Sequence, residues 1–489
     1  MNQNFELLLP EFLLAGLAFL VLLADFVTPE RHKNTSLAAL TVAGFIGILI
    51  FTLTFLQGRT DALYCANPNT LYDCLYRIDS YTLFFKALFI VLGVIVVLGS
   101  IDFVKRYLRH PGEYYALLIF SVLAMVLMVS SGELLTAYIS LELLSFSLYA
   151  LVSFIRDENK SNEAGVKYIL LGALSSAILL YGISLIYTSI GDTRFDTIGT
   201  FLSATATMDA TLLAGIALII AGLGFKVAAV PFHMWAPDIY EGSPLPVTAF
   251  LAVASKVAAF ALFLRIFTDA FGAAVNDWSI LIALLAAITM TIGNLVALAQ
   301  HNIKRLLAYS SIGQAGYMLM AIAALSGMAA EGLMLHMVGY AATTLALFVS
   351  VIAIYNLTGK DEISDFDGLS QRAPFVALVI SSALFSLAGL PFFAGFITKF
   401  YLFTAVAAEG FLWLTALAIL NSLISLYYYL AIIRHMYIVP PPEGEQERLS
   451  IPVLTKGVLG ALLLAIVVVG VYPAPLMDAI ITARSAILP

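Results

Sequence analysis

Four lysines of this sequence lie inside long apolar runs: Lys86, Lys226, Lys256 and Lys399. Of its 31 acidic residues only Glu142, in Ser140-Leu141-Glu142-Leu143-Leu144-Ser145, falls near the middle of such a run. A charged side chain in hydrocarbon is costly and is kept where it meets water or a counter-charge. Amines and a solitary carboxylate in that setting are suited to exchanging protons. Burial lowers the proton affinity of a lysine, and an approaching carboxylate raises it again. At an effective dielectric of about 20, a unit charge roughly 10 Å away contributes about 1.7 kcal/mol, enough to tip a poised amine. A row of such amines bridged by water is a proton path.

Lys226 opens an unusual stretch, GLGFKVAAVPFHMWAPDIYEGSPLP (222–246), with four prolines and with His233, Asp238 and Glu241 among them. Proline frees backbone carbonyls, which at membrane depth are tolerated only where protein or a hydrated cavity satisfies them. A second interruption, Gly389-Leu390-Pro391-Phe392-Phe393-Ala394-Gly395, precedes Lys399. Broken helices beside buried charges are typical of transporter ion sites. Lys226 and Lys256 lie about equally far from Glu241, so two antiparallel helices joined there hold them at similar depth. Lys399 is expected near the far end of its span, closer to the outer face.

The elements that position these groups follow from composition. The 489 residues are 61 % hydrophobic and 11 % charged, with mean hydropathy +0.98. Soluble domains carry about 25 % charged residues, so an all-α integral membrane protein in contact with the lipid bilayer is predicted. About fourteen spans fit: 6–27, 36–56, 81–103, 114–130, 132–154, 165–189, 209–230, 246–268, 278–299, 303–325, 331–357, 374–403, 410–434 and 454–473. The seventh is expected to run on through Pro231, and the twelfth contains the second break. These two are five spans apart, and a unit of five crossings must insert upside-down relative to its copy. Two inverted repeats, helices 4–8 and 9–13, are therefore expected. The corresponding segments are 1–110 (flanking helices), 111–270, 271–438 and 439–489 (the last helix).

Thirteen arginines and lysines, Lys105, Lys304 and Arg305 among them, fall in loops after odd-numbered spans; only Arg59, Arg77, Arg194 and Arg484 lie on the other side. The positive-inside rule makes the first set cytoplasmic and both termini external. Glu6 and the absence of a basic leader argue against a cleaved signal peptide. No basic stripe suggests nucleic acid. No phosphate loop or nucleophile elbow is present, and the two cysteines, Cys65 and Cys74, lack metal-site spacing. They share one outer loop, where a structural disulfide is an open alternative.

Plainer readings accompany several residues. Lys86, near the start of its span, reads as a snorkelling lysine, and Lys399 could snorkel from its helix end. Lys167 reads as a boundary charge or a further proton group, Arg265 as interfacial, and Lys304-Arg305 as a positive-inside anchor. His336, in Met334-Leu335-His336-Met337, is a relay or a neutral hydrogen-bonded packing residue. His233 and His301 lie at the cytoplasmic rim. Gly172 and Ser176 suit close helix packing.

Three stretches carry a family resemblance. GLGFKVAAVPFHMWAPDIYEGSP, HNIKRLLAYSSIGQAGYMLM (301–320) and GLPFFAGFITKFYLF (389–403) resemble the antiporter-like membrane subunits of respiratory complex I and their Mrp-type antiporter relatives. KYILLGALSSAILLYGISLIY (167–187) is most similar to the N-type subunits, the smallest of the three in complex I. The resemblance spans essentially the whole chain, although the cysteine-containing loop (57–80) is longer than the family suggests. It implies proton translocation from cytoplasm to outside, driven by quinone reduction elsewhere in an NADH-quinone oxidoreductase of a bacterial inner membrane. Glu142 matches the helix 5 glutamate, Lys226 the central lysine paired with it, Lys256 the bridging lysine and Lys399 the helix 12 lysine. His336 and Lys167 are the remaining candidates. The resemblance places no cofactor on this chain; FMN, iron–sulfur clusters and quinone belong to partners, and its neighbours are subunits M, K and J. The competing expectations are an Mrp-type cation/proton antiporter subunit and a stand-alone solute carrier.

Overall fold

The computed structural model describes residues 5–56, 75–205, 208–442 and 447–488. Cys65 and Cys74 lie outside the described residues. Among those residues the architecture is all helix, without a strand. Helices α1 (Leu9–Val27), α2 (Lys33–Leu56) and α3 (Ser80–Tyr107) form one flank. Then come α4 (Pro111–Val129), α5 (Leu134–Val152), α6 (Asn159–Ile190), a short α7 (Phe195–Ala204), α8 (Ala210–Lys226) and α9 (Trp235–Gly242). Helix α10 (Leu245–Phe250) continues through a π-helical turn, Leu251–Ser255, into α11 (Lys256–Asp269). The remainder comprises α12 (Val275–Ala297), α13 (Ile303–Ala324), α14 (Gly327–Thr358), α15 (Leu369–Arg372), α16 (Pro374–Ala388), α17 (Ala394–Ala408), α18 (Leu412–Tyr437), α19 (Val453–Val471) and α20 (Ala474–Arg484).

Among the described residues, twelve helices are long and apolar enough to cross a membrane. The seventh and twelfth expected spans correspond instead to shorter pieces, α8 with 17 residues and α16 and α17 with 15 each. The polar letters at the helix starts do what helix termini require, satisfying orphan N–H groups. Asp79 accepts from Thr82, Asp209 from Leu212, Asn302 from Lys304 and Ser326 from Ala329. Helices α4, α10, α11, α13 and α14 are almost wholly buried, whereas α1, α2, α6, α18 and α19 turn Phe19, Ile50, Leu170, Leu423 and Leu464 outward. Lys256, Arg265 and His336 thus lie on buried inner helices, with apolar ones outside them.

The first break corrects an expectation. Helix α8 stops at Lys226 itself rather than running through Pro231. The apolar letters continue, but Ala228 takes φ +59° and the chain turns. The carbonyls this leaves are claimed locally: Phe225 O accepts from the Trp235 indole at 2.8 Å and Gly224 O from Ala229 N at 2.7 Å.

At the second break, α16 ends on Gly389, whose φ of +86° suits glycine. Its last four carbonyls are all satisfied. Phe385 O and Ser386 O take Gly389 N, Ala388 O takes the Ser422 hydroxyl, and Leu387 O takes the Lys399 ammonium at 2.6 Å. Gly395 then lets α17 restart against α16, since a Cβ there would stand 1.7 Å from Ser386 O. Leu387 and Lys399 would be about 18 Å apart along an unbroken helix. Their contact exists only because the helix is interrupted.

Two sequence expectations fail, one in the flank and one on α11 beside it. Lys86 does not snorkel: it is fully buried and pairs with Glu11 at 2.8 Å, with Tyr76 bonded to both. Arg265 is not interfacial either. It is fully buried, holds both Asp79 oxygens at 2.7 and 2.6 Å, and stacks over Tyr81. Arg77 extends that cluster to Asp196 and Asp269.

Candidate functional site

Beyond Lys86 in the flank, Lys226, Lys256 and Lys399 are buried, each with polar partners. Each break places a lysine at the carbonyl end of a half-helix, the end that attracts cations. Lys226 is the last residue of α8, and Lys399 reaches back from α17 to the end of α16. Lys226 is 3 % exposed, donates to Ser145 at 2.7 Å, and stands 5.9 Å from the centre of the Tyr168 ring.

Glu142 is half-buried and takes a short hydrogen bond, 2.5 Å, from Ser176, which also contacts Tyr138. The direct Glu142–Lys226 ion pair expected from sequence is not formed among the described residues. Ser145, one turn after Glu142 on α5, takes the ammonium instead. Carboxylate and amine each bond a serine hydroxyl, Ser176 on α6 and Ser145 on α5, rather than each other. Ser176 is therefore part of the site rather than a packing residue. Gly172 does have the packing role, because a Cβ there would meet the Tyr149 hydroxyl at 2.0 Å.

Lys256 follows the π-helical turn directly. Such a turn frees a carbonyl and re-aims what comes next; Tyr340 caps Ala252 O at 2.9 Å, and Lys256 donates to Ser311 Oγ and O at 2.8 and 3.0 Å. Helix α13 then supplies a ladder. Ser311, Gln314 and Tyr317 recur every three residues on one face. Ser311 holds Lys256, Gln314 contacts His336 Nε2 at 3.2 Å, and the Tyr317 ring lies 4.9 Å below Lys399. His336 Nδ1 in turn meets Thr398 Oγ1 at 3.0 Å, next to Lys399 in sequence, and Lys399 donates to Ser422 at 3.0 Å. Lys256, His336 and Lys399 thus all border one face of α13. Lys399 sits beside the break rather than near the far end of its span, with nine residues of α17 still to follow.

Lys167 is not in this row. It lies at the Glu241 end, 42 % exposed, paired with Glu163 and Asp238 at 2.8 Å each. Lys304 and Arg305 are more than anchors: Lys304 pairs with Asp361, and Arg305 bridges Asp238 and Glu241. These charges surround a polar cavity of about 240 Å³ lined by Lys160, Glu163, Lys167, Asp238, Glu241 and Arg305. Burial works against ionising Asp238 and Glu241, but hydrogen bonds from Lys167 and Arg305 to the first, and from Arg305 and Lys160 to the second, hold both below the usual carboxylate range. A depressed carboxylate contributes stability above its unfolded pKa and loses it as pH falls through the folded one. The cluster is thus expected to stay closed to below about pH 4. In Arg305→Ala, opening on acidification is expected to begin at higher pH, read as hydrogen exchange of 158–166 and 236–243 corrected for intrinsic rates.

The comparisons place this geometry. The family model described as NADH:quinone oxidoreductase/Mrp antiporter, TM, matches residues 131–425, which contain the whole row from Glu142 to Ser422. The chain is 41 % identical over 487 residues to NADH-quinone oxidoreductase subunit N of Heliobacterium modesticaldum, covering 99 % of this chain and 100 % of that protein. With subunit N of Moorella thermoacetica it shares 42 % over 477 residues, 97 % of each. It superposes on a chain of respiratory complex I from Thermus thermophilus with TM-score 0.77 at 30 % identity, covering 97 % of this chain and 99 % of that one. The Mrp complex of a Dietzia species shares the fold, with TM-score 0.87 at 20 % identity over 99 % and 98 % of the two chains. The Mrp reading is the less supported of the two. Kinship over full length, together with buried lysines at two helix breaks, gives one conclusion: the chain belongs to the proton-translocating, antiporter-like membrane subunits of NADH-quinone oxidoreductase, in the subunit N branch.

Proposed function

We propose that this chain carries protons from the cytoplasm to the outer side of a bacterial inner membrane, driven by quinone reduction in partner subunits that hold FMN, iron–sulfur clusters and quinone. Subunit M beside it, with the small subunits K and J, supplies the driving contacts. Fourteen crossings, with both termini external and helices 4–8 (111–270) and 9–13 (271–438) as inverted repeats flanked by 1–110 and 439–489, fit the thirteen-to-four loop bias of basic residues. Two breaks at matching places in those units support the same arrangement.

Lys226, responding to Glu142, is the central carrier. Lys256 passes the proton along α13, His336 assists, and Lys399 delivers it toward the outer end. Lys167 belongs to the cytoplasmic mouth. The α13 ladder carries this reading, because one helix face meets three buried basic groups through a hydroxyl, an amide and an aromatic ring, which packing alone does not require. Glu142→Ala is expected to lower the proton-to-electron ratio of the assembled complex in vesicles. A normal ratio with a full complement of subunits would refute the assignment.

A further inference from the structure

Glu331 is the one acidic residue of α14 and α17, the helices that carry His336 and Lys399. They pack antiparallel in a fixed register. His336 meets Thr398, and closer to the start of α14 Gly332 abuts Leu402, with a Cβ position 2.9 Å from its Cα. The same register places Glu331 on Tyr401, whose hydroxyl donates to Oε2 at 2.6 Å. Glu331 is five residues from His336, about 7.5 Å along the helix, and Tyr401 is two residues beyond Lys399.

Helix α20 closes the other side. Arg484 gives Nε and Nη2 to Glu331 Oε1 at 3.0 and 2.8 Å, and Nη1 to Leu488 O at 2.8 Å. The glutamate side chain is 8 % exposed and the arginine 21 %. The pair therefore stands where the inner column meets the surface, at the end opposite Glu241. A buried carboxylate held by an arginine from the last helix is expensive if it only clamps that helix.

We propose that Glu331 is the terminal proton acceptor of the row, and that Arg484 is a positioning residue that makes it let go. This rests on the proton-carrying reading. A proton leaving the Lys399 ammonium or a His336 imidazolium adds to a Glu331 carboxylate oxygen, leaving the donor neutral. The carboxylic acid then gives that proton to water at the α20 end, and the carboxylate returns to Arg484. Arg484 gives two N–H bonds to a carboxylate oxygen that a proton would compete for, so it favours release.

The test uses the whole complex in sealed inside-out vesicles, whose lumen faces this end. Glu331→Gln is expected to lower the proton-to-electron ratio to the level of Lys399→Ala, and Glu331→Asp to recover it. Arg484→Gln is expected to slow turnover most at low lumenal pH and to recover as that pH is raised. If Glu331→Gln pumps normally while Lys226→Ala does not, the proposal fails and the proton reading stands. If both pump normally, the reading itself falls. Should Glu331→Gln not assemble, the Arg484→Gln profile decides: a loss equal at every lumenal pH means a clamp and overturns the proposal.

Discussion

Lys226→Arg is expected to abolish redox-driven pumping through this subunit as completely as Lys226→Ala, a loss of ~10-fold or more, equal to at least about 1.4 kcal/mol in a rate-limiting step. Arginine keeps the charge, and its donors can reach Ser145. It does not deprotonate in proteins. A carrier must take up and give up a proton in each cycle, so a permanent cation blocks the row where an amine serves it. If Lys226 were only a fixed counter-charge for Glu142, arginine would preserve function and alanine would destroy it. Proton uptake per electron in vesicles, with subunit content checked on native gels, separates the two. Ser145, taking the ammonium at 2.7 Å, is the natural companion: Ser145→Ala removes the hydroxyl that holds the amine, and a smaller effect of the same kind is expected.

Charge in an apolar run is the feature of this sequence that chemistry makes conspicuous, so Glu142, Lys226, Lys256 and Lys399 are legible without coordinates. Their partners are not. Ser145, Ser176, Thr398 and Ser422 are hydroxyls of a sort any membrane helix carries to bond its own backbone. The spacing Ser311, Gln314, Tyr317 was a readable signal, three polar residues on one face of an otherwise apolar helix. Which helices form the inner column could not be read, since lipid-facing α6 and buried α14 have similar hydropathies, 2.2 and 2.1. The end of α8 at Lys226 was hidden by the apolar letters that follow. Charges at span edges misled most. Lys86 and Arg265 look like interfacial lysine and arginine until their acids are found, and Asp79 is 186 residues from Arg265.

That last pair carries the largest stability effect expected. Asp79→Asn should destabilise the subunit by about 3–5 kcal/mol, seen as lost thermal stability or failure to assemble. Asparagine is nearly as good an N-cap as aspartate, so the acceptor for Thr82 N at the start of α3 is kept and the change isolates charge. What it leaves is Arg265, fully buried, with Nε and Nη1 already without partners. Asp269 offers some compensation, but Arg77 also draws on it, which sets the lower end of the range. Arg265→Met in the Asp79→Asn background removes the stranded cation and should recover part of the loss, because burying neither charge can cost less than burying one. The consequence reaches the row: α11 carries Lys256 at its start and Arg265 and Asp269 near its end. Freeing that end lets the helix shift against α3. Pumping in Asp79→Asn should therefore fall even in the fraction that assembles, whereas a variant that assembles and pumps normally would show the cluster to be inert.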